Sequence, residues 1–219
     1  MSASKSTALL GMLKRRSIEV SEALLSEVGE GYLNYLCDQG VVRLSQGVLY
    51  VTNPIRLAME TVKLGVDIEI ASRWLNWRDF ERLCVEALQS HDFKVRAPLR
   101  FKFDSKRHEI DIVACKKNAV LCIDCKHWEM MRGQQYKVKK SATSHLDKCI
   151  KLAKSASSLR NMGLNVHSGA YLVPIMITLI DLNLKLPLNS VWVIPVFKLN
   201  SFLLELEAHI DEISSIRIY

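Results

Sequence analysis

Residues 108–128, HEIDIVACKKNAVLCIDCKHW, constrain the fold more tightly than any other stretch of this chain. Two apolar runs flank a polar turn around residues 116–119, the pattern of a β-hairpin. A hairpin so apolar belongs in a core, yet it carries Glu109, Asp111, Asp124 and Lys126. Side chains alternate between the two faces of a strand. Glu109, Asp111 and Val113 are therefore expected on one face, and Cys122, Asp124 and Lys126 on one face of the second strand. Closing the turn brings Asp111 and Asp124 together at the same end of the ladder. Neighbouring carboxylates repel one another unless a cation lies between them. Oxygen donors without nitrogen or sulfur favour a hard ion such as Mg²⁺ or Mn²⁺. Lys126, on the same face as Asp124, stands where an ammonium can hold a hydroxide or stabilise charge building on a phosphate. The expected chemistry is phosphodiester hydrolysis.

Two plainer readings compete with that one. Asp111 and Lys126 could form an ion pair on an exposed sheet face, although that leaves the second acid, Asp124, unexplained. Cys122-x2-Cys125, with His127, His145, Cys115 and Cys149 nearby, has a zinc-like spacing. In a continuous strand, however, Cys122 and Cys125 face opposite sides, and no second Cys-x2-Cys exists. Cys84 and Cys149 fall on apolar helix faces and read as core residues.

The charge distribution supports a polyanionic partner. The chain of 219 residues has a net charge of +7. Residues 77–160 hold 19 Lys and Arg against 10 Asp and Glu, a balance of +9, whereas residues 1–76 hold 8 of each. The hairpin thus lies in the basic segment, and nucleic acid is the commonest polyanion. A solvated basic surface is the alternative. The longest apolar run, AYLVPIMITLI, is too short to span a bilayer and contains Pro174. Six cysteines without a secretory-signal pattern predict free thiols and a cytoplasmic protein.

Patterning divides the chain near Gly65. Helical spacing is expected over 3–16, 20–28 and 30–38, followed by a two-stranded wing, VVRL and VLYV, and a helix from Pro54 to about Leu64. That order resembles a winged helix-turn-helix domain. Its third helix contains Glu30 and Asp38 and no Lys or Arg, so residues 1–65 are expected to organise a homodimer or position the second domain rather than read a DNA groove. In residues 66–219, Asn76 and Asp79 mark a capping box opening a helix, with Glu81 on the edge of its apolar stripe. FKVRAPLRFKF supplies strand alternation, YKVKKSATS a basic loop, and Ser144 with Asp147 a second capping box opening a helix to about Leu159. AYLVPIMITLID and SVWVIPVFKL read as buried strands before a last helix near 201–208. The expected class is α/β, with a mixed central sheet flanked by helices.

Asp111, twelve residues, then Asp124-Cys125-Lys126 resembles the D…(D/E)xK core of the PD-(D/E)xK nuclease superfamily. FERLCVEALQSHDFKVR and CKHW are similar to the corresponding segments of Mrr-type restriction endonucleases and archaeal Holliday-junction resolvases. The pattern departs from the family in lacking a Pro before Asp111 and in having Asp rather than Glu at position 124. The resemblance covers roughly residues 76–200 and implies a restriction-endonuclease-like fold and a metal-dependent DNA endonuclease. It implies Glu81, Asp111 and Asp124 as metal ligands, the Cys125 carbonyl as a further ligand, and Lys126 serving the nucleophile. DNA contact is expected through Arg96, Arg100, Lys102, Arg132, Lys137, Lys139, Lys140, Lys148 and Lys151. No membrane and no small-molecule cofactor are expected. A non-catalytic DNA-binding or regulatory protein on a nuclease-like scaffold is the alternative.

Overall fold

The computed structural model describes all residues except 1, 127–133, 156–158, 160–162, 165, 180, 183, 185–186, 210–214 and 219. Contacts divide the chain into two units, Met1–Phe80 and Glu81–Tyr219. The expected boundary was Gly65. Residues beyond it stay with the first unit because the Arg16 guanidinium donates to the Trp74 carbonyl at 3.0 Å and to Asp79 at 2.7 Å.

In the first unit, α1 (Ser2–Arg15), α2 (Glu22–Val28) and α3 (Glu30–Asp38) precede a hairpin of β2 (Val42–Ser45) and β3 (Val48–Val51). A strand absent from the sequence reading, β1 (Ser17–Glu19), pairs antiparallel with β3 to complete a three-stranded sheet ordered β1-β3-β2. Three residues are too few to show a period. Leu9, Met12, Leu13, Leu36, Leu49 and Leu57 form the core. Asn53 caps α4 (Pro54–Lys63) by accepting from the Arg56 N–H, and Pro54 occupies the first turn, where no N–H is needed. A short helix, α5 (Ile68–Ser72), follows, capped by Asp67.

The capping box at the start of α6 (Trp77–Ser90) is formed as its spacing predicts. Asp79 N–H donates to the Asn76 side chain at 2.9 Å, and Asn76 N–H donates back to Asp79 at 3.3 Å. Asp79 therefore serves both the cap and Arg16. Asp79→Ala is expected to lower stability by about 1–2 kcal/mol, most of it from the cap because the ion pair is partly solvated. A urea midpoint that moves with an unchanged slope would verify this.

The second unit is built on a six-stranded sheet. Its main path runs β10 (Trp192–Pro195), β9 (Tyr171–Thr178), β8 (Ala119–Lys126), β7 (Ile112–Lys116), β4 (Lys94–Arg96), and β11 (Ile216–Arg217) also pairs with β9. Strands β8, β9 and β10 are parallel, whereas β4, β7 and β11 run antiparallel to their neighbours. The architecture is the expected mixed α/β sheet flanked by helices. No helix among the described residues is long and apolar enough to cross a membrane. All six cysteines are free thiols.

Three local expectations need correction. FKVRAPLRFKF is not one strand: it breaks at Ala97-Pro98 into β4 and β5 (Leu99–Phe103), because proline has no N–H for a ladder. The first arm of the hairpin is likewise broken, at Asp111. Residues before it form β6 (Lys106–Ile110), which pairs with β5 in a separate ribbon, and residues after it form β7. The third correction concerns α7, which spans Gln134–Lys154, so YKVKKSATS is helical and Ser144 caps nothing. Val138, Ala142, His145, Cys149 and Leu152 are all buried and recur at steps of four and three, one continuous helical stripe through the apparent cap. Ile150, although apolar, is off this stripe and exposed, whereas Leu152 is on it and buried.

Candidate active site at the open end of the central hairpin

Register builds the site. Ile112 pairs with Ile123 as the last rung of the antiparallel β7–β8 ladder. The next residues outward are Asp111 and Asp124, the convergence that alternation predicts. Asp111 lies in the break after β6, and one of its carboxylate oxygens accepts from the Cys125 backbone N–H at 2.8 Å. That bond ties the turn to β8 and fixes the acid beside Asp124. Asp124 is only 6% exposed, and its carboxylate meets Lys126 Nζ at 2.8 Å on the same face of the strand.

The electrostatics show the strain of this pairing. Burial pushes the Asp111 carboxyl above its usual range, and the negative charge of Asp124 adds to the rise. The Cys125 amide, Lys126 and Lys148 act in the opposite direction. A carboxyl raised by folding makes the native state the better proton binder. Its contribution to stability is present in acid and lost as pH rises through the folded-state value. In buffer containing chelator, Asp111→Asn is therefore expected to raise the melting temperature at neutral pH, with the gain vanishing in acid. The amide oxygen can still accept from Cys125. Equal melting temperatures at neutral pH would refute the account of Asp111.

Three further groups surround the pair. Glu81, on α6, is half-buried, and its charge helps push the Cys125 thiol up, after the contact with Cys84 and burial. Cys125 thus faces α6 while Cys122 packs against Cys149 of α7, on opposite faces of β8 as alternation requires. Lys148, expected only as a DNA contact, lies on α7 with its charge acting on Asp111. His145, which the sequence reading did not assign to the site, is buried and donates from Nε2 to the Cys122 carbonyl oxygen at 2.9 Å. It pins α7 to β8 two residues before Asp124. Its ring also meets Cys149 Sγ at 3.5 Å. Burial opposes charge on both, yet hydrogen bonding from Cys122 and His145 brings the Cys149 thiol down to about 6. In the sequence His145 stands out beside the zinc-like cysteine spacing and in the α7 stripe, and neither places it against the Cys122 carbonyl.

Glu109 does not join the site. It is exposed on the β5–β6 ribbon and paired with Arg100 at 2.6 Å. Lys102 is exposed on the same ribbon, and Arg96 lies on β4 at the sheet edge. Arg132 and His127 lie outside the described residues. On α7, at about 100° per residue, Lys137, Lys140, Lys148 and Lys151 fall within an arc of about 80°, with Lys139 off it. This stripe includes the lysine that acts on Asp111.

The donor set suits a hard divalent cation. Two neighbouring carboxylates offer oxygen atoms, and a positive charge between them would offset the Asp124 repulsion that adds to the effect of burial on Asp111. The set is open: among the described residues, no three His, Cys, Asp or Glu side chains close into a ligand cluster.

A profile of the nuclease-related domain, NERD, matches residues 76–194, more than half of the chain. The chain belongs to the nuclease-related domain family. Within the matched NERD segment lie α6 with Glu81, the Asp111–Asp124 pair, Lys126 and all of α7. An uncharacterized protein of Archaeoglobus fulgidus is 28% identical over 138 residues, which cover 63% of this chain and 97% of that protein. Among solved structures, protein VC1899 from Vibrio cholerae is similar at 16% identity and a TM-score of 0.34, covering 94% of this chain and 52% of its own. Can2 from Sulfobacillus thermosulfidooxidans, solved in complex with cyclic tetra-adenylate, has 12% identity and a TM-score of 0.36, covering 97% and 50%. This NERD chain spans about half the length of both of those structures.

Proposed function

We propose that this NERD protein is a metal-dependent DNA endonuclease of the restriction, repair or junction-processing type. The observation that carries the reading is the convergence of Asp111 and Asp124 at one end of β7–β8, with Lys126 held on Asp124 at 2.8 Å. Asp111, Asp124 and Glu81, with the Cys125 carbonyl, are the residues that would hold Mg²⁺ or Mn²⁺. Such an ion, when bound, acidifies water and offsets charge on a phosphate. Lys126 then places its ammonium beside the nucleophile, while Asp124 fixes where that ammonium points. The Cys125 N–H holds Asp111 in place, and His145 keeps the strand seated on α7. Lys148 adds positive charge at the edge, where a phosphate would approach.

Calorimetric titration with Mg²⁺ or Mn²⁺ tests the ligand set without relying on turnover. Wild type should show one saturable site that Asp124→Ala removes. A site of unchanged affinity in that variant would exclude Asp124 as a ligand.

The first unit is read as a winged-helix-like organiser. One centre of this kind cuts one strand, so a double-strand cut follows most simply from a homodimer, whose mass light scattering reads directly. The cytosol is the expected compartment.

A further inference from the structure

The second unit contains a cavity of about 540 Å³, which lies within the roughly 300–1,000 Å³ of small-ligand pockets. It is bounded by the carboxyl ends of β9 and β10 and by α8 (Leu199–His209). Thr178, on its wall, is the register partner of Lys126 across the parallel β8–β9 ladder. Adjacent strands lie about 4.8 Å apart, so one wall of the cavity begins one strand from the proposed catalytic lysine. Trp192, opposite Ile175 on β10, lies two strands away and on the other face of the sheet, so a strand would reach it around the carboxyl edge. Trp192 and Phe202 line it, with ring centroids 6.0 Å apart and planes tilted by 42°. The Trp192 indole N–H is buried and has no hydrogen-bond partner among the described residues. A buried indole N–H normally finds an acceptor. Lys198 stands on the same wall, paired with Asp181 at 2.8 Å, and is more than half exposed.

We propose that this cavity receives one unpaired nucleobase of the substrate strand, which makes the protein selective for DNA with an unpaired nucleotide near the cut. The proposal rests on the endonuclease reading. Every base has a π-face that an aromatic side chain can stack on, and enzymes that bind unpaired DNA combine such rings with cations that track the backbone. Trp192 and Phe202 supply the rings, and the charged groups on the wall are Lys198, paired with Asp181, and Glu205. Base rings carry acceptors of the kind that the buried indole N–H lacks. Leu182, Leu184 and Val193 form an apolar part of the wall. A duplex with every base paired has nothing to place there.

The test uses the full chain and oligonucleotides carrying 2-aminopurine, a fluorescent adenine analogue. The base is presented unpaired in a bulge, paired in a perfect duplex, or as the free monophosphate. Wild type should quench the bulged base strongly and the paired base little, and should bind the bulged duplex more tightly. Trp192→Phe and Phe202→Leu should each cost the bulged duplex at least about fivefold in affinity and leave the perfect duplex unchanged. Lys198→Ala, which leaves the ring pair intact, should cost the bulged duplex less than either ring variant, because Lys198 is already paired with Asp181 at 2.8 Å. Plasmid nicking is followed with the same proteins. If wild type treats bulged and paired bases alike, or both ring variants keep the preference, the pocket assignment is wrong whatever the nicking result. If only the free monophosphate is quenched, the strand is wrong as the source of the base. If no protein nicks DNA but the ring-dependent preference persists, the endonuclease reading fails and the pocket stands.

Discussion

Replacing Asp124 by alanine is expected to lower the rate of DNA nicking by about a thousandfold or more, the scale of losing a group that acts on charge in the transition state. The fold should survive. Asp124 is buried against a second acid, so its removal relieves the repulsion that raises Asp111, and Lys126, a quarter exposed, can turn to solvent. Lys126→Ala should slow nicking by about a hundredfold or more, again with circular dichroism unchanged. The two residues touch at 2.8 Å and serve one nucleophile, so their effects should not add. The double variant is expected to be no slower than Asp124→Ala alone. Single-turnover nicking of supercoiled plasmid measures all three. A double variant slower by the product of the single effects would show that the pair does not act as a unit.

The second large effect concerns the lysine stripe on α7. Lys137 and Lys140 are exposed and share a helical face with Lys148, whose charge reaches Asp111. A strand laid along that face would run toward the acids. Each lysine that neutralises a phosphate contributes about one unit to the slope of log affinity against log salt. Lys137→Ala with Lys140→Ala should therefore reduce the slope by about two and cost about tenfold or more in affinity at low salt. Arg100→Ala is the contrasting variant. Arg100 is already paired with Glu109 at 2.6 Å on the ribbon, so its removal should change the slope less. Fluorescence anisotropy between about 50 and 200 mM salt separates the two. Equal slopes for wild type and the double lysine variant would remove α7 from the DNA path.

The pairing of Asp111 with Asp124 was legible in the sequence because a tight turn fixes register, and register fixes which residues meet. Glu81 was legible as an edge residue because α6 is strongly periodic and opens on a capping box. The break at Asp111 was not, since a bend between two strands leaves both with the same alternation. That is why Glu109 read as a neighbour of Asp111 although it belongs to the β5–β6 ribbon. The length of α7 was hidden by Ser144 and Asp147, which have the spacing of a cap but sit on the solvent face. Only the buried stripe running through them reveals one helix. His145 and the Trp192–Phe202 cavity arise from packing between elements distant in sequence, and no local pattern encodes such contacts.

Asp111, Asp124 and Lys126 are proposed to form a metal-dependent phosphodiesterase centre. Supercoiled plasmid incubated with the wild-type protein, in Mg²⁺ or Mn²⁺ and separately in EDTA, tests it most directly. Conversion to nicked circles with either metal, and none in EDTA, is the expected result. Intact plasmid under every condition, or cutting that persists undiminished in EDTA, would contradict the account.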